Sequence, residues 1–177
     1  MKYLLFAIVI LSANANAGFD GKSGRGAFNN GSFEQDYTQW QGTGNQEIVT
    51  APAYQVTDGR KAVLFNAGQT EPNAVLSQTF FTKPGFTYTL TFDIGTTAYL
   101  STDEQRLQVE VYNSGGFPHL HLNITTSIFA RGTGTWYESR QYTFVAKDYL
   151  TTLYFADVSP TTYNIDLLLD NVRIIKR

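Results

Sequence analysis

The sequence predicts an all-β domain, a sandwich of two antiparallel sheets, and three observations carry that prediction. Apolar and polar residues alternate with a period of two in several separate windows, the pattern of strands with one buried face. Turn-forming pairs rich in glycine, asparagine and proline punctuate those windows. The composition agrees: 11 Tyr, 13 Phe and 15 Gly stand beside only 16% charged residues, a balance that favours strands over surface helices. No window carries sustained 3.6-residue periodicity with helix caps.

Taken in order, residues 1–17 read as a signal peptide. Lys2 is the positive start, Leu4 to Leu11 the apolar stretch, and Ala15-Asn16-Ala17 a small-x-small cleavage pattern before Gly18. The apolar stretch is about half of the roughly 20 residues a membrane span needs. Residues 18–27, mostly "GFDGKSGRG", read as a flexible leader, and 28–177 as one domain. Within it, "FTYTLTFDIG" sends Phe86, Tyr88, Leu90, Phe92 and Ile94 one way and Thr87, Thr89, Thr91 and Asp93 the other. "RLQVEVYN" turns Leu107, Val109 and Val111 inward and Gln108, Glu110 and Tyr112 outward. "RQYTFVA" gives one face to Tyr142, Phe144 and Ala146, and "TLYFADV" sets Leu153, Phe155 and Asp157 against Tyr154, Ala156 and Val158. Turns are marked by Asn30-Gly31, Asp58-Gly59, Lys83-Pro84-Gly85, Asn113-Ser-Gly-Gly116 and Gly132-Thr-Gly134. This spacing predicts eight to ten strands packed face to face.

The formal charge of -2 and the lack of a basic stripe exclude an electrostatic footprint for nucleic acid. With no cysteine, disulfides and thiol nucleophiles are excluded, so stability must come from the core, with or without a metal. Enzyme signatures are missing: no Gly-x-Ser-x-Gly elbow, no His-Glu-x-x-His, no phosphate-binding glycine loop. Glu104, Glu110, Glu138 and Asp93 offer carboxylates, but no spacing singles out a catalytic pair. The chain is therefore expected to bind rather than catalyse.

His119 and His121 in "HLH" would share one strand face, where two imidazoles could hold zinc or copper. No third ligand is nearby, and a solvated strand face or a pair of sugar hydrogen-bond donors are the other readings. Trp40 and Trp136 are expected in the core. The better ligand candidates face outward: Tyr112, Tyr99 and Phe117, with Tyr54 and Tyr137, beside the polar Gln108, Glu110, Asp93 and Arg140. Exposed rings suit sugar C–H faces, and the polar groups suit hydroxyls.

The last run, "LLLDNVRIIKR", raises the sharpest question. Asp170 interrupts an apolar strand, and a buried carboxylate costs several kcal/mol unless something meets it. "NGSFEQDYTQW" (30–40), "DGRKAVLFN" (58–66) and "LLLDNVRI" (167–174) occur in that order, with "LSQTFFTKPGFTYTLTFDIG", "WYESRQYTFVA" and "TTLYFADVS" between. Together these segments resemble the galactose-binding-like jelly rolls, in particular carbohydrate-binding modules of the xylan- and glucan-binding kind and their secreted relatives of unassigned function. The resemblance spans about Phe28 to Ile175.

It implies a jelly-roll β-sandwich and a structural calcium held by the side chains of Glu34 and Asp170, with carbonyls near Ser32 and Lys61 added. Calcium's demand for six to eight oxygens is compatible with such a set. The alternative is that Asp170 pairs with Arg173 or Lys61, or caps a turn, with no metal. The functional expectation is a non-catalytic carbohydrate-binding protein for a cell-wall, matrix or host glycan, secreted to the cell surface or exterior, or to a bacterial periplasm. Its mature form would not enter a membrane. The alternative is a structural role in a surface layer, filament, matrix or virion, through self-assembly or surface protein partners.

Overall fold

The computed structural model describes residues 27–68, 70–114 and 119–177; the signal peptide, nearly all of the leader, and Phe117 lie outside them. The described residues form ten strands and no helix. They are β1 (Gln41–Thr43), β2 (Gln46–Thr50), β3 (Lys61–Phe65), β4 (Val75–Phe81), β5 (Thr87–Ser101), β6 (Glu104–Asn113), β7 (Leu120–Phe129), β8 (Gly132–Val145), β9 (Leu150–Asp157) and β10 (Ile165–Lys176). They pair into two five-stranded sheets, β1-β4-β9-β6-β7 and β2-β3-β10-β5-β8, with every pairing antiparallel. This is the two-sheet sandwich that alternation and turn chemistry predict, and the jelly roll that the resemblance implies.

The inner faces meet as the pattern requires. Leu107, Val109 and Val111 of β6 and Leu153 and Phe155 of β9 are fully buried against Leu90, Phe92 and Ile94 of β5 and Leu167 and Leu169 of β10. Phe92 and Phe155 cross the interface edge-to-face at 5.3 Å between ring centroids. Trp40 closes one end of this core beside Phe33 and Phe28, its indole N–H donating to the Asn30 carbonyl at 2.9 Å. Trp136 is only half-buried.

The Asn30-Gly31 signal has a steric cause. The Gly31 carbonyl accepts from Val172 N–H at 2.8 Å, and a Cβ on Gly31 would overlap the Val172 carbonyl oxygen. Only glycine lets the first turn approach the last strand this closely. Asn30 sits at φ 52° and ties the turn by accepting from Gln35 N–H and donating to the carbonyls of Asp36 and Thr38.

The outer faces differ, and the difference places the site. On the second sheet, Val49, Ala62, Leu64 and Leu168 form a minor core beneath Tyr54, Val56 and Tyr137. The segment 51–60 folds over it, pinned where Tyr137 Oη donates to the Gln55 carbonyl at 2.9 Å. Tyr137 lies flat across Gly95, where an added Cβ would meet the ring at 2.5 Å. The first sheet presents a row of polar and aromatic side chains instead.

Candidate functional site

Strand register assembles that row. On the outer face of the first sheet, Glu110 of β6 stands opposite Tyr154 of β9 and Asn123 of β7, and Tyr154 stands opposite Ser77 of β4. One step along, Tyr112 faces Thr152 on one side and Leu120 on the other; one step back, Gln108 faces Ala156 and Thr125. Glu110, Tyr112, Leu120 and Tyr154 line a shallow groove of about 540 Å³. Gln108 Nε2 donates to Glu110 Oε1 at 2.7 Å, which fixes the carboxylate and leaves its other oxygen to accept. Thr152, beneath Tyr112, shares hydrogen bonds with Thr79 at 2.8 Å and with Ser114.

Burial and the Glu110 charge raise the pKa of both phenols; for Tyr112 the neighbouring Tyr154 adds to this and the Thr152 hydrogen bond offsets part. Both are therefore O–H donors at neutral pH. The groove offers two aromatic faces, an aliphatic edge, one carboxylate acceptor and two hydroxyl donors.

The sequence expectations fare unevenly here. Gln108, Glu110 and Tyr112 come together on one face. Tyr154 and Leu120 complete it and were not singled out. The signal for Tyr154 was its outward place in "TLYFADV", but its nearness to Glu110 depends on the β6–β9 register, which alternation leaves open.

Asp93 and Tyr99 belong elsewhere, since both lie on β5 in the other sheet. Asp93 is buried opposite Asp170 and accepts from Ser139 Oγ and Asn171 Nδ2. Tyr99 is exposed at the end of β5.

The "HLH" pair does not share a strand face. His119 precedes β7, its backbone N–H bonded to the Asn113 side chain, and the β6–β7 register slips between Val111 and Tyr112. At that irregularity both ring nitrogens of His121 are buried without a hydrogen-bond partner. Burial, then Lys147 and His119, lower its pKa, with Asp148 acting in the opposite sense, so a neutral ring is favoured.

Asp170 is answered by a turn. Fully buried, its Oδ2 accepts from Thr57 N–H at 2.7 Å, Asp58 N–H at 2.9 Å and Thr57 Oγ1 at 3.1 Å; its Oδ1 accepts from Asn171 N–H at 2.6 Å. Glu34, exposed on the other side of the same turn, accepts through one oxygen from Arg60 and Lys61 N–H, both at 2.8 Å. Gly59 (φ 77°) sits against the Glu34 carboxylate, with no room there for a Cβ.

Calcium requires oxygen ligands, whereas the groups meeting these carboxylates are N–H and O–H donors. As arranged, the residues do not fit an ion shared by Glu34 and Asp170. Among the described residues no group of three or more His, Cys, Asp or Glu could hold a metal. The cations named in the alternative pair elsewhere: Arg173 with Asp58 at 3.0 Å, Lys61 with Asp36 at 2.7 Å.

A family model described as "Protein of unknown function (DUF642)" matches residues 16–175. No curated protein matches the sequence. Solved structures share the fold. The module TmCBM61, in complex with β-1,4-galactotriose, aligns at 16% identity and a TM-score of 0.56 over 87% of this chain and all of its own. The C-terminal family 22 carbohydrate-binding module of Clostridium thermocellum Xyn10B gives 14%, 0.55, 84% and 92%. The K1 cleaved adhesin domain of Lys-gingipain from Porphyromonas gingivalis gives 17%, 0.56, 77% and 90%.

Proposed function

The chain belongs to the DUF642 family of proteins of unknown function, and we propose that it is an exported, non-catalytic carbohydrate-binding protein that grips a glycan on the outer face of the β1-β4-β9-β6-β7 sheet. One observation carries the reading: Tyr112 and Tyr154, from strands adjacent in the sheet, converge with Glu110 and Leu120 on one open groove. Tyrosine rings stack on sugar C–H faces while their hydroxyls, Glu110 and Gln108 meet sugar hydroxyls. A single carboxylate lines the groove, where glycoside hydrolysis uses a facing pair. Similarity of fold to carbohydrate-binding modules supports the reading, as does the signal-peptide pattern at residues 1–17.

The test is retention on immobilised polysaccharides and a glycan array. Tyr154→Ala and Tyr112→Ala should each weaken binding several-fold, since a stacked ring contributes on the order of 1 kcal/mol. A wild-type chain that is retained by no polysaccharide defeats the proposal. The assembly alternative has one observation in its favour: β8, with 14 residues, lies at a sheet edge. Sedimentation showing a monomer at all accessible concentrations would remove it.

A further inference from the structure

We infer a second, smaller sugar site at the loop end of the sandwich, away from the sheet face. There, residues of the β3–β4 and β9–β10 connections enclose a cavity of about 200 Å³ lined by Glu71, Pro72, Pro160, Thr161, Thr162 and Tyr163. The volume lies below the roughly 300–1,000 Å³ of drug-sized sites, so it suits one pyranose ring rather than a chain segment.

The walls are held in place. Thr162 Oγ1 donates to the Thr70 carbonyl at 2.6 Å, joining the two connections, and Gln105 Nε2 donates to the Thr161 carbonyl at 2.7 Å from below. Tyr99 N–H donates to the Asn164 carbonyl at 2.9 Å, bringing the end of β5 beside the same loop. Tyr163 lines the cavity and is 68% exposed, and the ordered end of β5 backs the loop that carries it. Exposed rings on a pre-ordered frame lose little entropy when a ligand stacks on them.

The polar groups suit a neutral sugar. The Glu71 carboxylate has no hydrogen-bond or ion-pair partner among the described residues, so both oxygens are available to adjacent sugar hydroxyls. Thr161 Oγ1 accepts from Tyr163 N–H at 3.3 Å and keeps its own hydrogen to donate. Tyr163 and the proline rings supply apolar surface for C–H groups. Arg106, whose backbone N–H donates to Ser159 Oγ beside this loop, is engaged by Glu104 at 2.8 Å, and no cationic side chain is among the cavity's lining residues. The chemistry selects a single uncharged sugar, such as a branch or chain end. With the sheet face occupied as well, one chain would bridge two glycan strands, and avidity would follow from linkage rather than from either contact alone.

The test is an NMR titration of the full ¹⁵N-labelled chain with the methyl glycosides of galactose, glucose and xylose. Amides of Glu71 and Thr161–Tyr163 should shift with an affinity of about 1 mM. The shifts should disappear in Tyr163→Ala, fall several-fold in Glu71→Gln and persist in Tyr154→Ala. If none of the three glycosides moves these amides, or if Tyr154→Ala removes the shifts, the second site is overturned whatever the sheet face does. Shifts confined to Glu110, Tyr112 and Tyr154 would overturn it while leaving the sheet-face reading intact.

Discussion

Replacing Asp170 by Asn should destabilise the fold equally with calcium or with chelator present. The side-chain volume is kept, but an amide has one acceptor oxygen where the carboxylate has two. If that oxygen stays with Asn171 N–H, the new NH₂ points at the Thr57 and Asp58 N–H groups, whose two bonds are lost, while the Thr57 hydroxyl can turn to accept from it. A buried donor left unsatisfied costs about 1–3 kcal/mol. Against this, the substitution removes a buried charge; burial raises the Asp170 pKa, and its hydrogen bonds offset only part of that rise. The net loss should be about 2–4 kcal/mol, after this offset. For a domain of this size 1 kcal/mol moves the melting temperature by about 2–4 °C, so a fall of roughly 5–15 °C is expected. Differential scanning calorimetry of both proteins, in excess calcium and in chelator, measures it. Wild-type melting that falls in chelator, with Asp170→Asn indifferent to it, would refute the reasoning and restore an ion shared with Glu34.

Other outcomes follow from burial and close contact. Burial, then Glu47 and Asp157, push the Asp166 pKa up to about 6. The folded chain then keeps a proton that the unfolded chain has released, so stability is highest below about pH 4 for this group and declines as pH rises through about 6. Asp166→Asn should abolish that decline and raise stability at pH 7 by about 1–2 kcal/mol, a figure discounted for partial exposure; melting measured from pH 4 to 8 decides it. Gly31→Ala should cost more than about 3 kcal/mol, because the new methyl group overlaps the Val172 carbonyl in the backbone of β10; urea unfolding reads it, and a loss under about 1 kcal/mol would contradict the steric account. The exported protein should begin at Gly18, which intact mass tests; retention of Met1 would refute the processing reading.

The sandwich was legible because burial on one face per strand writes itself into alternation: Tyr88, Leu90, Phe92 and Ile94 are buried where the pattern puts them. The outward direction of Gln108, Glu110 and Tyr112 was legible for the same reason. Alternation states which side of a strand a residue takes, but not which sheet the strand joins; Asp93 and Tyr99 were grouped with Tyr112 for want of that information. Tyr154 went unnoticed because register is a property of two strands. That Asp170 needed a partner could be read from its neighbours Leu167, Leu168 and Leu169. That the partners are the amides of Thr57 and Asp58 could not, since backbone N–H groups are common to every residue but proline. His121 was misjudged because a register irregularity changes the period where it occurs.

The turn at Thr57–Lys61, which hands amides to carboxylates on both sides, bears on the order of events in folding. Its bonds to Asp170 join residues 112 and 113 positions apart, and those to Glu34 join residues 26 and 27 apart. The Glu34 half closes a short loop, whereas the Asp170 half must wait until nearly the whole sandwich has wrapped round. Contacts made after the rate-limiting step leave the speed of folding alone and act as a brake on the way out. In stopped-flow experiments, Asp170→Asn should therefore steepen escape from the native state while the refolding limb stays in place. The last strand would serve as the latch that sets the lifetime of the folded protein.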